Sequence, residues 1–180
     1  MQILAISGSL RAASLNSALL RAVAYLAPAD IFIELYPTLG DLPLFNPDIE
    51  ATDPPAVAHL RARIMAADAL LIASPEYAHG VTGAMKNALD WMVGTEAFVN
   101  KPAALVNASP FSVHAHASLK EILTVMSARV VEDASIAVPI RGSRLDDAGI
   151  AADPSISAAL RQALRALQVA VLRFQNEDGN

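Results

Sequence analysis

Ser7, Gly8, Ser9, Arg11, Ser14 and Asn16 are gathered in one stretch, Ile6-Ser7-Gly8-Ser9-Leu10-Arg11-Ala12-Ala13-Ser14-Leu15-Asn16-Ser17. Hydroxyls, a carboxamide, a glycine and an arginine at this spacing suit an anion with several acceptor oxygens. The stretch follows Gln2-Ile3-Leu4-Ala5-Ile6, an apolar run that reads as a buried strand, and precedes a helical pattern. It therefore sits at a strand-loop-helix joint, where the first helical N–H groups have no intrahelical partner. Ser14 or Asn16 alone would serve equally well as a plain helix cap. Arg11 has no capping role, so the set as a whole is read as a site for a monoester phosphate.

A second constellation is Ser74-Pro75-Glu76-Tyr77-Ala78-His79-Gly80. Pro75 removes a donor and stiffens the turn, and the rest presents backbone groups, one aromatic ring and one imidazole. A flat heterocycle can lie against such a turn and be read at its edge by main-chain hydrogen bonds. Phosphate at one loop and a ring system at the next describe a mononucleotide. His79 has two readings, a contact at the ring edge or substrate side and a hydrogen bond that only stabilises the turn.

Other chemistries are excluded by what the chain lacks. No Gly-x-Gly-x-x-Gly follows the first strand, no Gly-Lys-Ser/Thr occurs, and no Gly-x-Ser-x-Gly is present. The chain has no cysteine, so disulfides, thiolate catalysis and cysteine-held metals are ruled out, and any redox chemistry needs an organic cofactor. A net charge of −5 without a Lys/Arg cluster gives no basic field, and nucleic acid is not an expected partner. His114 and His116 would point about 200° apart on a helix, so they cannot share an ion, and no metal is expected. No run long enough to span a membrane occurs, and Met1 leads directly into a strand, so a cytoplasmic protein without a membrane partner is expected.

The elements that must position these loops alternate along the chain. At 180 residues and 54% hydrophobic content, a single domain over residues 1–180 can bury a full core. Leu15, Leu19, Ala22 and Leu26 give one apolar face of a helix that Pro28 and Asp30 end. Residues 31–35 read as a second strand, and residues 36–53 as a long loop whose Leu42, Leu44 and Phe45 favour docking. Asp53 before Pro54 reads as an N-cap, opening a helix with Val57, Leu60 and Ile64 buried. Residues 68–73 form a third strand, apolar throughout and so buried on both faces. A helix over residues 83–92 and a fourth strand over 103–108 follow. The next helix carries Leu119, Ile122, Leu123 and Met126; Ser118 and Glu121 resemble a capping box at its start, and Val113 is the alternative start.

Residues 130–131 and 135–138 supply a bent last strand, and residues 139–153 a loop. Pro154 then opens a final helix with Ile156, Leu160, Leu164, Leu167, Val171 and Phe174 on one face, and residues 176–180 read as a frayed tail. Five strand-helix alternations predict an α/β, doubly wound five-stranded parallel sheet with helices on both faces. Five strands favour the flavodoxin-like order 2-1-3-4-5 over the Rossmann order. In that order the loops after strands one and three open on one crevice.

Gly8-Ser9-Leu10-Arg11-Ala12-Ala13-Ser14-Leu15-Asn16 resembles the GSxRxxSxN loop of the NAD(P)H-dependent FMN reductase family, whose members include flavin, quinone, azo and chromate reductases. The stretch from Pro75 through Glu76-Tyr77-Ala78-His79-Gly80-Val81-Thr82-Gly83-Ala84-Met85-Lys86-Asn87-Ala88-Leu89-Asp90 to Trp91 resembles its second signature, PEYNHSxPGxLKNAIDW. Asp41-Leu42-Pro43-Leu44-Phe45 is similar to the family's loop after strand two, and Lys101-Pro102 with Ser109-Pro110 to its fourth strand and third loop. The resemblance spans about residues 1–170.

It implies a flavodoxin-like FMN-binding oxidoreductase. Ser9, Arg11, Ser14 and Asn16 would hold the FMN phosphate, Pro75, Glu76, Tyr77 and His79 would line the isoalloxazine ring, and Ser109 would lie in the third flavin loop. By the family's mechanism NAD(P)H is a transient electron donor, and the electrons pass in a ping-pong cycle to a small-molecule acceptor such as a flavin, quinone or other xenobiotic oxidant. No side-chain acid or base is obligatory. In the family the helix carrying Lys86 and Asp90 packs across a dimer, so a homodimer or homotetramer is expected, with Trp91 buried between subunits. The alternative is a non-enzymatic electron carrier of flavodoxin type, against which Arg11 and the mild net charge speak. The chain departs from the signatures at Ala78 (usually Asn), Gly80 (Ser) and Thr82 (Pro), and its third loop lacks Gly-Gly and carries Phe111, expected to narrow the acceptor side.

Overall fold

The computed structural model describes residues 1–140, 142–143 and 145–178. In chain order the elements are β1 (Gln2–Ser7), α1 (Leu15–Leu26), β2 (Phe32–Leu35), α2 (Pro47–Glu50), α3 (Pro55–Ala66), β3 (Ala69–Ala73), β4 (Glu76–Tyr77), β5 (Gly80–Val81), α4 (Gly83–Asp90), β6 (Pro102–Asn107), α5 (Val113–Val125), β7 (Arg129–Val130), β8 (Ile136–Ala137), α6 (Asp147–Ala152) and α7 (Pro154–Asp178). The main sheet is parallel in the order β2-β1-β3-β6-β7, and β8 also pairs with β6. This is the flavodoxin-like order expected from the alternation of elements.

The last strand is split, and the pairing shows how. β7 meets the start of β6 at Pro102 and Ala103, while β8 meets its end at Val106 and Asn107. The 3-10 turn Glu132–Ala134 bulges out between them. Ser135 fills the gap in the ladder: its hydroxyl accepts from the Leu105 amide at 3.0 Å and donates to the Val131 carbonyl at 2.9 Å.

Alternation along the strands divides the core in two, because successive side chains leave opposite faces. Ile3, Ala5, Leu71, Ala73, Ala104 and Val106 pack toward α1, α6 and α7. Leu4, Ile6, Leu70, Ile72, Ala103 and Leu105 pack toward α3, α4 and α5. With helices over both faces, β3 and β6 are buried at every residue, which is why β3 reads as an unbroken apolar run and β6 as one that only Asn107 ends. No helix among the described residues is long and apolar enough to cross a membrane.

Four local expectations are corrected. Asp53 is not the N-cap of α3; the cap position is Pro54, and the helix starts at Pro55. The double proline explains this, since a residue before proline is pushed out of the helical region. Asp53 has φ of 45°, and its carboxylate instead accepts two hydrogen bonds from Arg61 Nη2, at 2.8 and 2.9 Å. The stretch read as a loop over residues 139–153 contains α6, capped by Asp146 through the Gly149 amide at 2.8 Å. Residues 176–178, read as frayed, continue α7, and residues 179 and 180 lie outside the described residues. In the long loop Leu42 is docked and buried, but Leu44 is 83% exposed.

Docking of that loop depends on α4. Asn87 Nδ2 and Trp91 Nε1 both donate to the Pro43 carbonyl, at 3.0 and 2.7 Å, and Asn87 Oδ1 accepts from the Phe45 amide at 2.7 Å. Phe45 meets Trp91 edge-on with ring centroids 5.1 Å apart. Trp91, expected between subunits, is thus buried inside its own chain, its N–H satisfied by a loop carbonyl. Lys86 and Asp90 do form the surface ion pair that their spacing suggests.

Candidate functional site

Among the described residues the buried polar side chains are Ser14, Asn16, Ser74, Thr82 and Asn107. All five stand at the carboxyl ends of β1, β3 and β6 or at the helix starts that follow them. Burying a polar group without a partner costs about 1–3 kcal/mol, so their concentration at one end needs a reason. The reason is a network that joins three loops. Asn16 Oδ1 accepts from the Ala108 amide at 2.9 Å, tying α1 to the loop after β6. Asn107 Nδ2 donates to the Ser74 carbonyl at 2.7 Å, and its Oδ1 accepts from the Ser109 amide at 2.9 Å. Thr82 Oγ1 donates to the Gly8 carbonyl at 2.6 Å.

Gly8 lies where the first and second loops come closest. Its amide donates to the Ala73 carbonyl at 2.7 Å. A Cβ there would stand 2.7 Å from Ser74 Oγ and 3.0 Å from Thr82 Oγ1, so only glycine lets the two loops approach this closely.

Between the three loops lies a cleft of about 330 Å³, of a size usual for small-molecule sites. Its walls include Ser9, Arg11, Ser14, Asn16, Pro75, Glu76, Tyr77 and Ser109, all named from the sequence. They also include Asn107, Ala108 and Ser112, which were not. His79 is not among the walls. The signal for Asn107 was present in the sequence, as an amide ending a strand that is otherwise apolar, but nothing local said what it would bond.

At the first loop Ser14 is the N-cap of α1, its hydroxyl accepting from the Ser17 amide at 3.2 Å. Capping and lining the cleft are both true of it. The first intrahelical bond runs from Ala18 to the Ser14 carbonyl, which leaves the amides of Leu15 and Asn16 for an external acceptor. Ser9 Oγ accepts from the Arg11 amide at 3.4 Å. The Arg11 side chain is exposed at the cleft and makes no ion pair among the described residues. A helix N-terminus and an unpaired guanidinium on one wall form a positive pole.

The second loop is the hairpin of β4 and β5. Its turn residues Ala78 and His79 have φ of 49° and 61°, the paired left-handed conformation of a two-residue hairpin turn. Glu76 fastens this hairpin to α5: Oε2 accepts from the Ala115 amide at 2.9 Å, and Oε1 faces His79 Nδ1 at 3.2 Å. The Ala115 amide holds the Glu76 carboxyl below its ordinary pKa, against the opposing effect of desolvation. The side chain of His79 is 75% exposed and packs edge-on to His114 at 4.3 Å between centroids. Its hydrogen bond with Glu76 is the turn-stabilising one. Phe111, expected to narrow the cleft, is 75% exposed and is not among its walls.

A cleft with a positive pole at one wall and a stiff hairpin of exposed backbone and Tyr77 at the other fits a phosphate joined to a flat ring. Comparison with known proteins agrees. Residues 1–142 match the family model described as NADPH-dependent FMN reductase. An NAD(P)H-dependent FMN reductase of Pseudomonas aeruginosa is 36% identical over 97% of this chain and 97% of its own length. A probable NADPH:quinone oxidoreductase of Oryza sativa subsp. japonica is 33% identical over all of this chain and 93% of its own. Among solved structures, the flavoenzyme NAD(P)H:(acceptor) oxidoreductase FerB from Paracoccus denitrificans superposes with a TM-score of 0.77 at 28% identity, covering 93% of this chain and 95% of that one.

Proposed function

We propose a role for each wall of the cleft from the premise that the chain belongs to the NADPH-dependent FMN reductase family and is an FMN-dependent NAD(P)H oxidoreductase. At the first loop Arg11, the hydroxyls of Ser9 and Ser14, the Asn16 carboxamide and the amides that begin α1 would hold the phosphate of FMN. Pro75, Glu76 and Tyr77 on the hairpin would line its ring, with His79 beyond them and Ser109 contributed by the third loop. The observation that carries this reading is that Arg11, with no side-chain partner among the described residues, lines the same cleft as the hairpin.

FMN held there would supply the two-electron redox chemistry between NAD(P)H and an acceptor. Arg11 and the helix start keep the phosphate fixed while donor and acceptor exchange. No acid or base from the chain is required, since the residues at the ring contribute backbone contacts and shape. With one open cleft serving donor and acceptor, the two take turns, which is a ping-pong cycle, and the acceptor is a small oxidant such as a flavin or quinone. A reductant drawn from the NAD(P)H pool fits a cytoplasmic location for this domain of residues 1–180. Leu44 and Val93, 83% and 64% exposed on the segment docked at Trp91 and just after α4, support a homodimer or homotetramer built on that face.

An anaerobic stopped-flow mix of FMN-loaded protein with NADPH, and separately NADH, tests the reading through the visible absorbance of the flavin. Rapid bleaching is expected, and the faster nucleotide names the donor. Bound FMN that neither nucleotide bleaches would mean an electron carrier instead. Light scattering at micromolar concentration tests the assembly, and a monomer would refute it.

A further inference from the structure

Thr82 is buried, with 4% of its surface exposed, and its hydroxyl is used twice. It donates to the Gly8 carbonyl at 2.6 Å across 74 positions of sequence, and it accepts from the Met85 amide at 3.3 Å as the N-cap of α4. We infer that Thr82 is a positioning residue for the cofactor, a latch that sets the first loop through the Gly8–Ser9 peptide. This rests on the FMN reading above.

The argument runs through the planarity of that peptide. With the Gly8 carbonyl directed at Thr82, the Ser9 N–H is directed the opposite way, where Ser7 Oγ stands 3.3 Å off. The Gly8 amide is fixed as well, by the Ala73 carbonyl. Both polar groups of Gly8 are therefore tied to the β3 side of the crevice, and Ser9 and Arg11 leave from a fixed point. Threonine suits the role, because its branched Cβ limits χ1 and so the direction of the hydroxyl. Proline, usual at this place in the signature that the second loop resembles, has no hydroxyl and could not make the tie. Substitution at Thr82 should accordingly reach the phosphate end of the cleft, although Thr82 is not itself a wall of it.

FMN affinity of the apoprotein, read by quenching of flavin fluorescence, is compared for wild type, Thr82→Val and Thr82→Ser. Valine keeps the shape and removes the hydroxyl, and serine keeps the hydroxyl. Thr82→Val is expected to raise the Kd for FMN about tenfold or more, the scale of one buried hydrogen bond, with Thr82→Ser close to wild type. The phosphorus NMR resonance of bound FMN should shift in the valine variant and not in the serine variant, a change that loss of stability alone would not produce. If Thr82→Val does not fold, Thr82→Ala against Thr82→Ser poses the same question. Wild-type affinity in the variant without the hydroxyl, or equal losses in both variants, overturns the latch while leaving the flavin reading intact. Failure of the wild-type protein to bind FMN overturns that reading, and the latch with it.

Discussion

At the carboxyl end of the sheet the buried polar side chains are neutral, and Asn16, Thr82 and Asn107 bond to backbone groups of other loops. At the amino end they are charged and lie nearer to solvent. There Asp68 accepts from the Gln2 amide at 2.7 Å, the terminal ammonium of Met1 donates to the Asp30 carbonyl at 2.8 Å, and Lys101 Nζ donates to the Ala67 carbonyl at 2.5 Å and the Met65 carbonyl at 3.2 Å. The amino-end contacts close off strand and helix ends that water could also satisfy. Those at the carboxyl end fix loops relative to one another where little water reaches, so each lost partner leaves an unsatisfied group. One end caps the fold, and the other fixes the loops that wall the cleft.

The largest effect expected from this contrast is at Asn107. Asn107→Ala removes two bonds and leaves the Ser74 carbonyl and the Ser109 amide without them. The loss should be about 3 kcal/mol of stability, or a fall of roughly 6–12 °C in the melting temperature of the apoprotein, and FMN affinity should fall as well. A variant that melts like wild type would show that the network follows the fold rather than supporting it. Arg11→Ala comes next and separates binding from stability. The Arg11 guanidinium has no partner among the described residues, so the apoprotein should melt unchanged while FMN binding weakens by about 1.5–3 kcal/mol. Unchanged affinity by fluorescence titration would mean that the phosphate is held elsewhere.

These two residues also mark how far the sequence could be read. Arg11's place at the cleft was legible because it is set locally: a cation in a loop between a strand and a helix, with no acidic residue close by in sequence. The order of strands and the range of α1 were legible for the same reason, since period and punctuation lie within a few residues of each other. Asn107, Ser74 and Thr82 were not read as a network because their partners are 74 positions away for Thr82 and 33 for Asn107. Only the packed sheet brings those ends together. Asp53 misled because a capping residue before proline looks the same whether or not a second proline shifts the helix start. The short α6 has too few residues to show a period, although Asp146 and Gly149 carried its cap. His79 had two readings, and the turn-stabilising bond became visible only with Glu76 folded against it.

Lys101 tests the amino end, and its effect should be the smallest. Its ammonium meets two carbonyls at the end of α3, where a cation also complements the helix dipole. Burial opposes this, pulling the Lys101 pKa below its ordinary value, while the nearby Asp68 pushes it back up. What the carbonyls gain is partly offset by what the ammonium loses in leaving water. Lys101→Met should therefore cost only about 1 kcal/mol of stability, a net hydrogen-bond contribution rather than an orphaned buried group. Because the folded-state pKa lies below the unfolded one, the folded wild type releases this proton first as pH rises. Stability should then climb with pH between the lowered folded value and about 10.4, and that slope should be absent from the variant. FMN affinity is expected to stay at the wild-type level. A loss of affinity matching that of Asn107→Ala would erase the distinction between the two ends, because it would make the capping end part of the site.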